Sequence, residues 1–500
     1  MPLKHRTLVG GAVACLALLS ATVVSAAPWF GPGDPRMRHA VQKLADRGHL
    51  DTAVTTWPLM VGSLDAGLDR NRASQDGVAV AQSLAYVRFE QEAQASPGFR
   101  ATFTVSGTTE TPYLRGFEGG PRESGEASVL LEWQGNAWAL GLSPTYAANP
   151  QDNEDWRFDG TYLAATASNW VFGVGAIDRW WGPGWQSSLI LSNNARPVPA
   201  VWINRRAATA PEQPWLQWLG PWQLTTFLGQ LEDERHIEDA KLFGMRLTLR
   251  PIDGLDIGFS RTFQIGGEGR PENSRTFWDA LIGRDNGQQG GPEDDPSNQL
   301  GSIDVRYGFG VGQQTIGLYA QMMGEDEAGG FPARKSWLFG LDATSQLGNS
   351  DQQWFLEHAN TLADDMFGSA MPNISYEHSV YRSGYRYYGR NLATSLEGDA
   401  RATTLGFFNF FPDGRNLGLS LTYAELNAEN ASVRASIPDD RVSYRIPVSA
   451  QTRTLATLSY GLPAYGGWLD IYAQVADKKI DLASSRQDPT SVGATWRYRF

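Results

Sequence analysis

Three indoles crowd the segment Trp180-Trp181-Gly182-Pro183-Gly184-Trp185, where two glycines and a proline force a tight turn. Flat rings held in a turn stack on the C–H faces of sugars. The same rings also serve as loop packing or as part of an aromatic belt at a membrane surface. Further along, Glu268-Gly269-Arg270-Pro271-Glu272 is followed by Trp278-Asp279, Arg284-Asp285-Asn286, Glu293-Asp294-Asp295 and Asn298-Gln299. Arg, Asp, Asn and Gln make paired hydrogen bonds to vicinal hydroxyls or to a uronate carboxylate. They also build salt-bridged loops that fold onto themselves. Gly324-Glu325-Asp326-Glu327 lines up three carboxylates, which suit a divalent cation or a solvated turn, and the spacing is not that of an EF-hand. Tyr381-Arg382-Ser383-Gly384-Tyr385-Arg386-Tyr387-Tyr388-Gly389-Arg390 interleaves phenols and guanidiniums. That pattern suits an acidic sugar polymer or lipopolysaccharide phosphates, and equally suits loop packing. The candidate polysaccharide-binding residues are therefore Trp180, Trp181, Trp185, Arg270, Glu272, Trp278, Asp279, Asp285, Asn286, Glu325, Asp326, Tyr385 and Arg386.

Catalytic patterns are sparse. The chain has six histidines, and neither Gly-x-Ser-x-Gly nor His-Glu-x-x-His occurs. His358 and Asn360 share one face of a strand, a faint hydrolase-like pair with no serine tied to it. Paired carboxylates for glycoside cleavage have no sequence spacing to test, because their separation is spatial. The reading is of a non-enzyme with no cofactor and no metal site. The net charge of −12 makes it a poor nucleic-acid binder.

These segments must be positioned by something exported. Lys4, His5 and Arg6 precede an apolar run from Leu8 to Leu19, and Val24-Ser25-Ala26-Ala27 supplies small residues for cleavage. This reads as a signal peptide over residues 1–27. Cys15, the single cysteine, falls inside that run, so the mature chain is expected to have no disulfide. Residues 28–97 carry helical spacing: Arg38, Val41, Leu44 and Ala45 up to Gly48, then Val78, Val80, Ala81, Leu84, Ala85, Val87 and Phe89 up to Ser96-Pro97-Gly98.

From Phe99 the period becomes two. Ile303, Val305, Tyr307 and Phe309 alternate with Asp304, Arg306, Gly308 and Gly310; Leu417, Leu419, Leu421 and Tyr423 alternate with Gly418, Ser420, Thr422 and Ala424. Charged residues are only 19% of the chain, and glycine reaches 54. Alternation with one apolar face, few charges and no long apolar helix predicts a transmembrane β-barrel over residues 98–500. The last strand ends Trp496-Arg497-Tyr498-Arg499-Phe500, which resembles the signal read by the barrel assembly machinery. Short turns are expected at Gly135-Asn136, Ser168-Asn169, Gly220-Pro221, Pro251–Gly254, Gly310–Gln314, Gly348–Asp351, Pro412–Gly414 and Pro463–Gly467. With the first and last strands these turns predict about eighteen antiparallel strands. Both termini then lie in the periplasm with a small helical block, and the long connections lie outside. The third of them is expected to run over 178–213.

Several stretches, in order, resemble the Wzi capsule-assembly family: Asp46-Arg47-Gly48, Thr56-Trp57-Pro58-Leu59, Trp180 to Gly184, Trp218-Leu219-Gly220-Pro221-Trp222, Gly269 to Glu272, Trp278-Asp279-Ala280-Leu281, Asp285-Asn286, Tyr319-Ala320-Gln321-Met322 with Gly324 to Glu327, and Asn427-Ala428-Glu429-Asn430. The resemblance implies an eighteen-strand outer-membrane barrel with an N-terminal helical bundle at its periplasmic end. It implies a lectin-like protein that attaches capsular polysaccharide or exopolysaccharide to the cell surface, beside lipopolysaccharide in the outer membrane. It transfers no individual sugar-contacting residue. The loops after Tyr376 and around Ala431–Val448 depart from the family pattern, so the particular sugar stays open. A diffusion channel is the competing expectation, since eighteen strands can enclose a pore.

Overall fold

The computed structural model describes residues 29–283, 296–325, 334–364, 370–437 and 442–500. Its main body is a closed antiparallel barrel of eighteen strands among the described residues. They are β1 (Gly98–Thr108), β2 (Gly125–Gln134), β3 (Trp138–Leu142 continuing as Thr145–Ala148), β4 (Trp156–Arg157 continuing as Tyr162–Ala167), β5 (Trp170–Gly175) and β6 (Ala200–Arg205). Next come β7 (Trp222–Gln230), β8 (Lys241–Ile252), β9 (Leu255–Ile265), β10 (Ser297–Val311), β11 (Gln314–Glu325) and β12 (Arg334–Leu347). The set ends with β13 (Ser350–Asp364), β14 (Arg401–Phe410), β15 (Asn416–Leu426), β16 (Gln451–Ala464), β17 (Gly467–Ala476) and β18 (Thr490–Arg499). Each strand pairs with the next, and β18 closes on β1 from Gly493↔Thr108 to Arg499↔Thr102. Closure leaves no unpaired edge, which is what a sheet in hydrocarbon requires.

The alternation decides which face meets lipid. On β10 the side chains of Ile303, Val305 and Tyr307 are exposed, whereas Ser302, Asp304 and Arg306 are buried. On β15 Leu419, Leu421 and Tyr423 point out, and Thr422 and Ala424 point in. Apolar residues on the outside and charged residues on the inside are the inverse of a soluble sandwich. Among the described residues no helix is long and apolar enough to cross a membrane.

Seven of the eight expected short turns join their strands directly. Gly220-Pro221 does not. The strand before it was expected to lead straight into this turn, yet β6 ends at Arg205, and residues 206–221 form a longer connection containing a 3-10 turn at Pro214–Leu219. The third long loop is correspondingly shorter, 176–199 rather than 178–213. Pro211 and Pro214 remove two ladder donors from this stretch, which disfavours a strand there. Trp215 and Trp218 stand exposed on the 3-10 turn.

The N-terminal block comprises α1 (Pro35–Asp46), α2 (Val61–Gly67), α3 (Arg70–Gln75) and α4 (Val78–Ala95). Asp34 caps α1 by accepting from the backbone N–H of Arg36 and Met37 at 2.9 and 3.0 Å, and Pro35 occupies the first helical position. The block fills the short-turn end of the barrel. Lys43 Nζ donates to both oxygens of Asp351 at 2.8 Å, beside the β12–β13 turn. His39 Nε2 meets the same carboxylate at 2.8 Å. Arg306 of β10 forks onto Asp46 at 2.6 and 2.8 Å and also reaches Asp342 of β12. Removing one partner of such a buried pair costs about 3–5 kcal/mol, so the contacts fix where the block sits.

Candidate functional site

The long connections gather at the other end. L1 (109–124), L3 (176–199), L5 (266–296), L7 (365–400) and L8 (427–450) leave the strands there, and L1, L3 and L7 turn inward. L3 is pinned to the wall by one carboxylate. Glu357 of β13 accepts from the backbone N–H of Trp185 and Ser187, both at 2.7 Å, and from that of Gln186 at 3.3 Å. Gln321 of β11 holds the far side: its Oε1 accepts from Leu189 N at 2.9 Å, and its Nε2 donates to Trp181 O at 3.1 Å. From below, Arg38 of α1 donates to Gly184 O at 2.8 Å and lies over the Trp185 ring, 4.3 Å from its centroid.

L7 is laced to L3. Tyr376 Oη donates to Leu189 O and Tyr385 Oη to Ile190 O, both at 2.9 Å. Ser192 N donates to Leu392 O, and Asn194 Nδ2 donates to Asn391 O, both at 2.8 Å. Arg386 sits inside L7, donating to Glu377 Oε1 at 2.5 Å and Glu397 Oε2 at 2.8 Å. The two carboxylates beside it hold the guanidinium strongly protonated despite complete burial. L3 and L7 share one buried cluster with the barrel wall, and the helical block forms a second, which meets the first where Arg38 and Phe117 lie against the Trp185 ring.

This arrangement separates the sequence candidates. Trp180, Trp181 and Trp185 are buried, at 1%, 0% and 1% exposure, and do not present their rings to solvent. Trp180 and Trp181 pair with Trp57 and Thr56 in a short ladder, Phe117 lies edge-on to Trp180, and Trp185 stacks on Phe355 at 5.9 Å. Of the readings open for this segment, loop packing describes the observed contacts. Tyr385 and Arg386 are likewise enclosed. Asp285, Asn286 and Asp326 lie outside the described residues. Glu325 closes β11 in a half-buried position opposite Arg334.

The remaining candidates form a rim on L5. Asn273 caps helix α5 (Ser274–Ile282) through Thr276 N at 3.0 Å, and Gly283 ends it in the left-handed conformation. Phe277 docks edge-on to Phe243 and Phe263, and Ala280 is fully buried below. The opposite face turns outward: Trp278 is 59% exposed, and Arg275 and Asp279 flank it as a helical pair at 3.6 Å. Glu272 accepts from Lys241 Nζ at 2.5 Å and from Gly267 N at 2.9 Å, which holds its carboxyl below the usual range. Arg270 is half-buried nearby. An exposed indole among fixed charges offers a stacking face and hydrogen-bonding groups of both signs.

His358 faces outward from the barrel and meets Thr403 Oγ1 at 2.9 Å; Asn360 donates to Asp364. The pair therefore points away from the loops. Glu357, which organises the interior with Gln321 and Arg38, was not singled out in the sequence; Arg38 was read only as part of a helical pattern and Gln321 only within a family-like stretch. Their one sequence signal is a charged or amide side chain at an inward position of an alternating strand, or on an apolar helix face.

The family model described as capsule assembly protein Wzi matches residues 94–491. A Klebsiella pneumoniae protein described as an uncharacterized 55.8 kDa protein in the cps region is 31% identical over 337 residues. That alignment covers 66% of this chain and 64% of the relative, so the chain spans less than two thirds of that protein's length. Among solved structures, Wzi of Escherichia coli, described as an outer-membrane protein involved in group 1 capsule assembly and a carbohydrate-binding β-barrel, superposes with a TM-score of 0.79. It is 25% identical, over 94% of this chain and 99% of that one.

Proposed function

Because this chain belongs to the capsule assembly protein Wzi family, we propose that it is a lectin-like outer-membrane protein that holds capsular or other exopolysaccharide at the cell surface by non-covalent contacts through its outer loops. The short-turn end, with the helical block and both termini, faces the periplasm in this reading, and the long loops face outward. The observation that carries it is the filled interior: L3, L7 and α1 pack inside the barrel, leaving the loop rim as the working surface. The L5 rim around Trp278, Arg275, Asp279, Glu272 and Arg270 is the proposed contact region, and Asp285, Asn286, Glu325 and Asp326 remain proposed polymer-binding residues from the sequence. Each contact of this kind contributes about 1–3 kcal/mol. A polymer with repeated epitopes bound by many copies in one membrane gains avidity without any single tight site.

The test is deletion of the gene followed by measurement of polysaccharide in the cell pellet and the culture medium. Polymer moving to the medium at unchanged total is the expected result. Unchanged partition, together with ohmic conductance of the purified protein in planar bilayers, would replace this reading with a diffusion channel.

A further inference from the structure

Helix α5 lies on the outside of the barrel. On β8 the inward positions are Leu242, Gly244 and Arg246, and Arg246 Nε donates to Thr56 Oγ1 of the N-terminal segment at 2.8 Å, so Phe243 and Met245 point outward. On β9 Thr262 and Gln264 point inward, with Gln264 Nε2 donating to Gly384 O of L7 at 3.0 Å, so Arg261, Phe263 and Ile265 point outward. Yet Phe243, Phe263 and Ile265 are buried, because α5 covers them with Phe277, Ala280 and Leu281. Arg261 Nη2 donates from the wall to Ala280 O at 2.9 Å and also to the Gln299 side-chain oxygen. A guanidinium is favoured at that last helical turn, and the helix in turn covers a charge that would otherwise face lipid.

The contacts also set the direction and depth of α5. Glu272 sits beside Lys241, Phe277 beside Phe243 and Phe263, and Ala280 beside Arg261. The chain therefore descends along the wall, and the C-terminal end of α5 is its deepest part. Arg261 pairs with Gly301 of β10, and the next outward residues below, Phe259 and Ile303, are exposed and apolar. The Tyr307–Phe309 ring pair marks the aromatic girdle at the short-turn end of β10. A strand residue rises about 3.4 Å, or about 2.6 Å along the axis at a tilt of about 40°. Gly301 then lies about 16 Å and Ser297 about 26 Å above Tyr307, against an apolar band about 25 Å tall. So α5 covers the last ~10 Å of the band at the long-loop end, where headgroups meet acyl chains.

Helical spacing divides α5 into three faces. Phe277, Ala280 and Leu281 meet the wall. Trp278 and Ile282, one turn apart, form the next flank and are 59% and 54% exposed. Arg275 and Asp279 form the third. The Trp278–Ile282 flank has the composition of an aromatic girdle and an amphipathic interfacial helix. Ile282 has no hydrogen-bonding group to offer a sugar, and it lies at the deepest end of α5, next to the exposed apolar wall at Phe259 and Ile303.

We propose that α5 is an interfacial membrane helix whose Trp278–Ile282 flank enters the leaflet at the long-loop end, its partner being the headgroup and acyl-chain boundary of the lipids there. The inference goes beyond the polysaccharide reading and rests only on the lipid-facing wall. Arg275, Asp279, Glu272 and Arg270 stay on the polymer side of the same rim, and Trp278 stands at the seam between polymer and lipid.

The only cysteine, Cys15, lies in the expected signal peptide, so a cysteine introduced on α5 takes an environment-sensitive dye at one site. Full-length I282C and R275C proteins, checked for the heat-dependent gel mobility of a folded barrel, are labelled and reconstituted in phospholipid vesicles. The vesicles carry a nitroxide either near the headgroup or deep on the acyl chain. The dye on I282C is expected to emit further to the blue than that on R275C, and to be quenched several-fold more by the shallow nitroxide. The deep nitroxide should quench it less than the shallow one, because an interfacial helix sits only about 5–10 Å below the surface. Aqueous iodide should quench it several-fold less than the dye on R275C. Equal nitroxide quenching at the two positions overturns the proposal. So does an I282C dye that iodide reaches freely until polysaccharide is added, which would make the flank a polymer surface. Shielding from iodide that grows with protein density in the vesicle, without nitroxide quenching, would make it a contact between copies and overturns the proposal as well. Polysaccharide release on gene deletion is read separately, so failure here leaves that reading standing.

Discussion

Glu357→Ala removes the single carboxylate that holds L3 against the barrel wall. Three backbone N–H groups, those of Trp185, Gln186 and Ser187, then face a space with no acceptor. The two contacts at 2.7 Å are short and charge-assisted; the third, at 3.3 Å, adds little. Each strong donor left buried and unpaired costs about 1–3 kcal/mol, so the segment should be destabilised by about 2–6 kcal/mol. Every 1.4 kcal/mol is a factor of about ten in the opening equilibrium. Hydrogen exchange of the Trp185–Ser187 amides in nanodiscs should therefore accelerate by about 30-fold to about 10⁴-fold. The flanking strand amides at Phe355 and Ala359, paired in the β13 ladders, should keep their protection. Glu357→Gln keeps one acceptor oxygen and should fall between the two. If Glu357→Ala leaves the Trp185–Ser187 amides within about tenfold of the parent, the carboxylate is not what holds L3, and the account of the filled lumen is wrong.

Other consequences can be checked separately. Trp278→Ala with Asp279→Ala on the outer face of α5 should lower polymer retention several-fold in a cell-pellet assay while leaving barrel melting unchanged, because Trp278 is mostly exposed. Arg386→Met strands the Glu377 and Glu397 carboxylates in the interior and should cost about 3–5 kcal/mol, read as faster proteolysis within L7. Asp76 accepts from Arg47 and His49, and the Arg47 hydrogen bonds hold its carboxyl down at about 2. This lowered value means that its stabilisation of the helical block is fully present above about pH 4 and is lost as the pH falls through about 2. Acid titration followed by proteolysis of the block should show that window, and Asp76→Asn should erase it. Asp351→Asn leaves Lys43 buried without its counter-charge and should loosen α1 from the wall, seen as faster exchange along that helix.

Much of the wall could be read from residues alone, because strand alternation is a local signal. Ile303, Val305 and Tyr307 announce an outward face whatever their partners are, and a barrel imposes that face along every strand. The connection at 206–221 could not be read so well: Trp215 and Trp218 have strand-like apolarity, and only the prolines around them argue against a ladder. The rim and the interior divide for a different reason. Trp278 and Trp185 are the same residue type in similar glycine-containing loops, yet one is exposed and the other enclosed. What decides is Glu357, 172 positions from Trp185 in the chain, and no local pattern reports it.

The helical block also changes what an empty version of this barrel would be. The wall at the short-turn end carries Arg306 and Asp351, which meet Asp46, Lys43 and His39 of α1, and Asp256, which accepts from Val54 N of the segment that follows. Electrostatically the block is the wall's built-in counterion, of both signs, set residue by residue. Excising it would not leave a neutral pore. It would leave a channel lined with fixed charges whose occupancy and stability depend on dissolved salt, so ionic strength would take over the part now played by covalently attached residues.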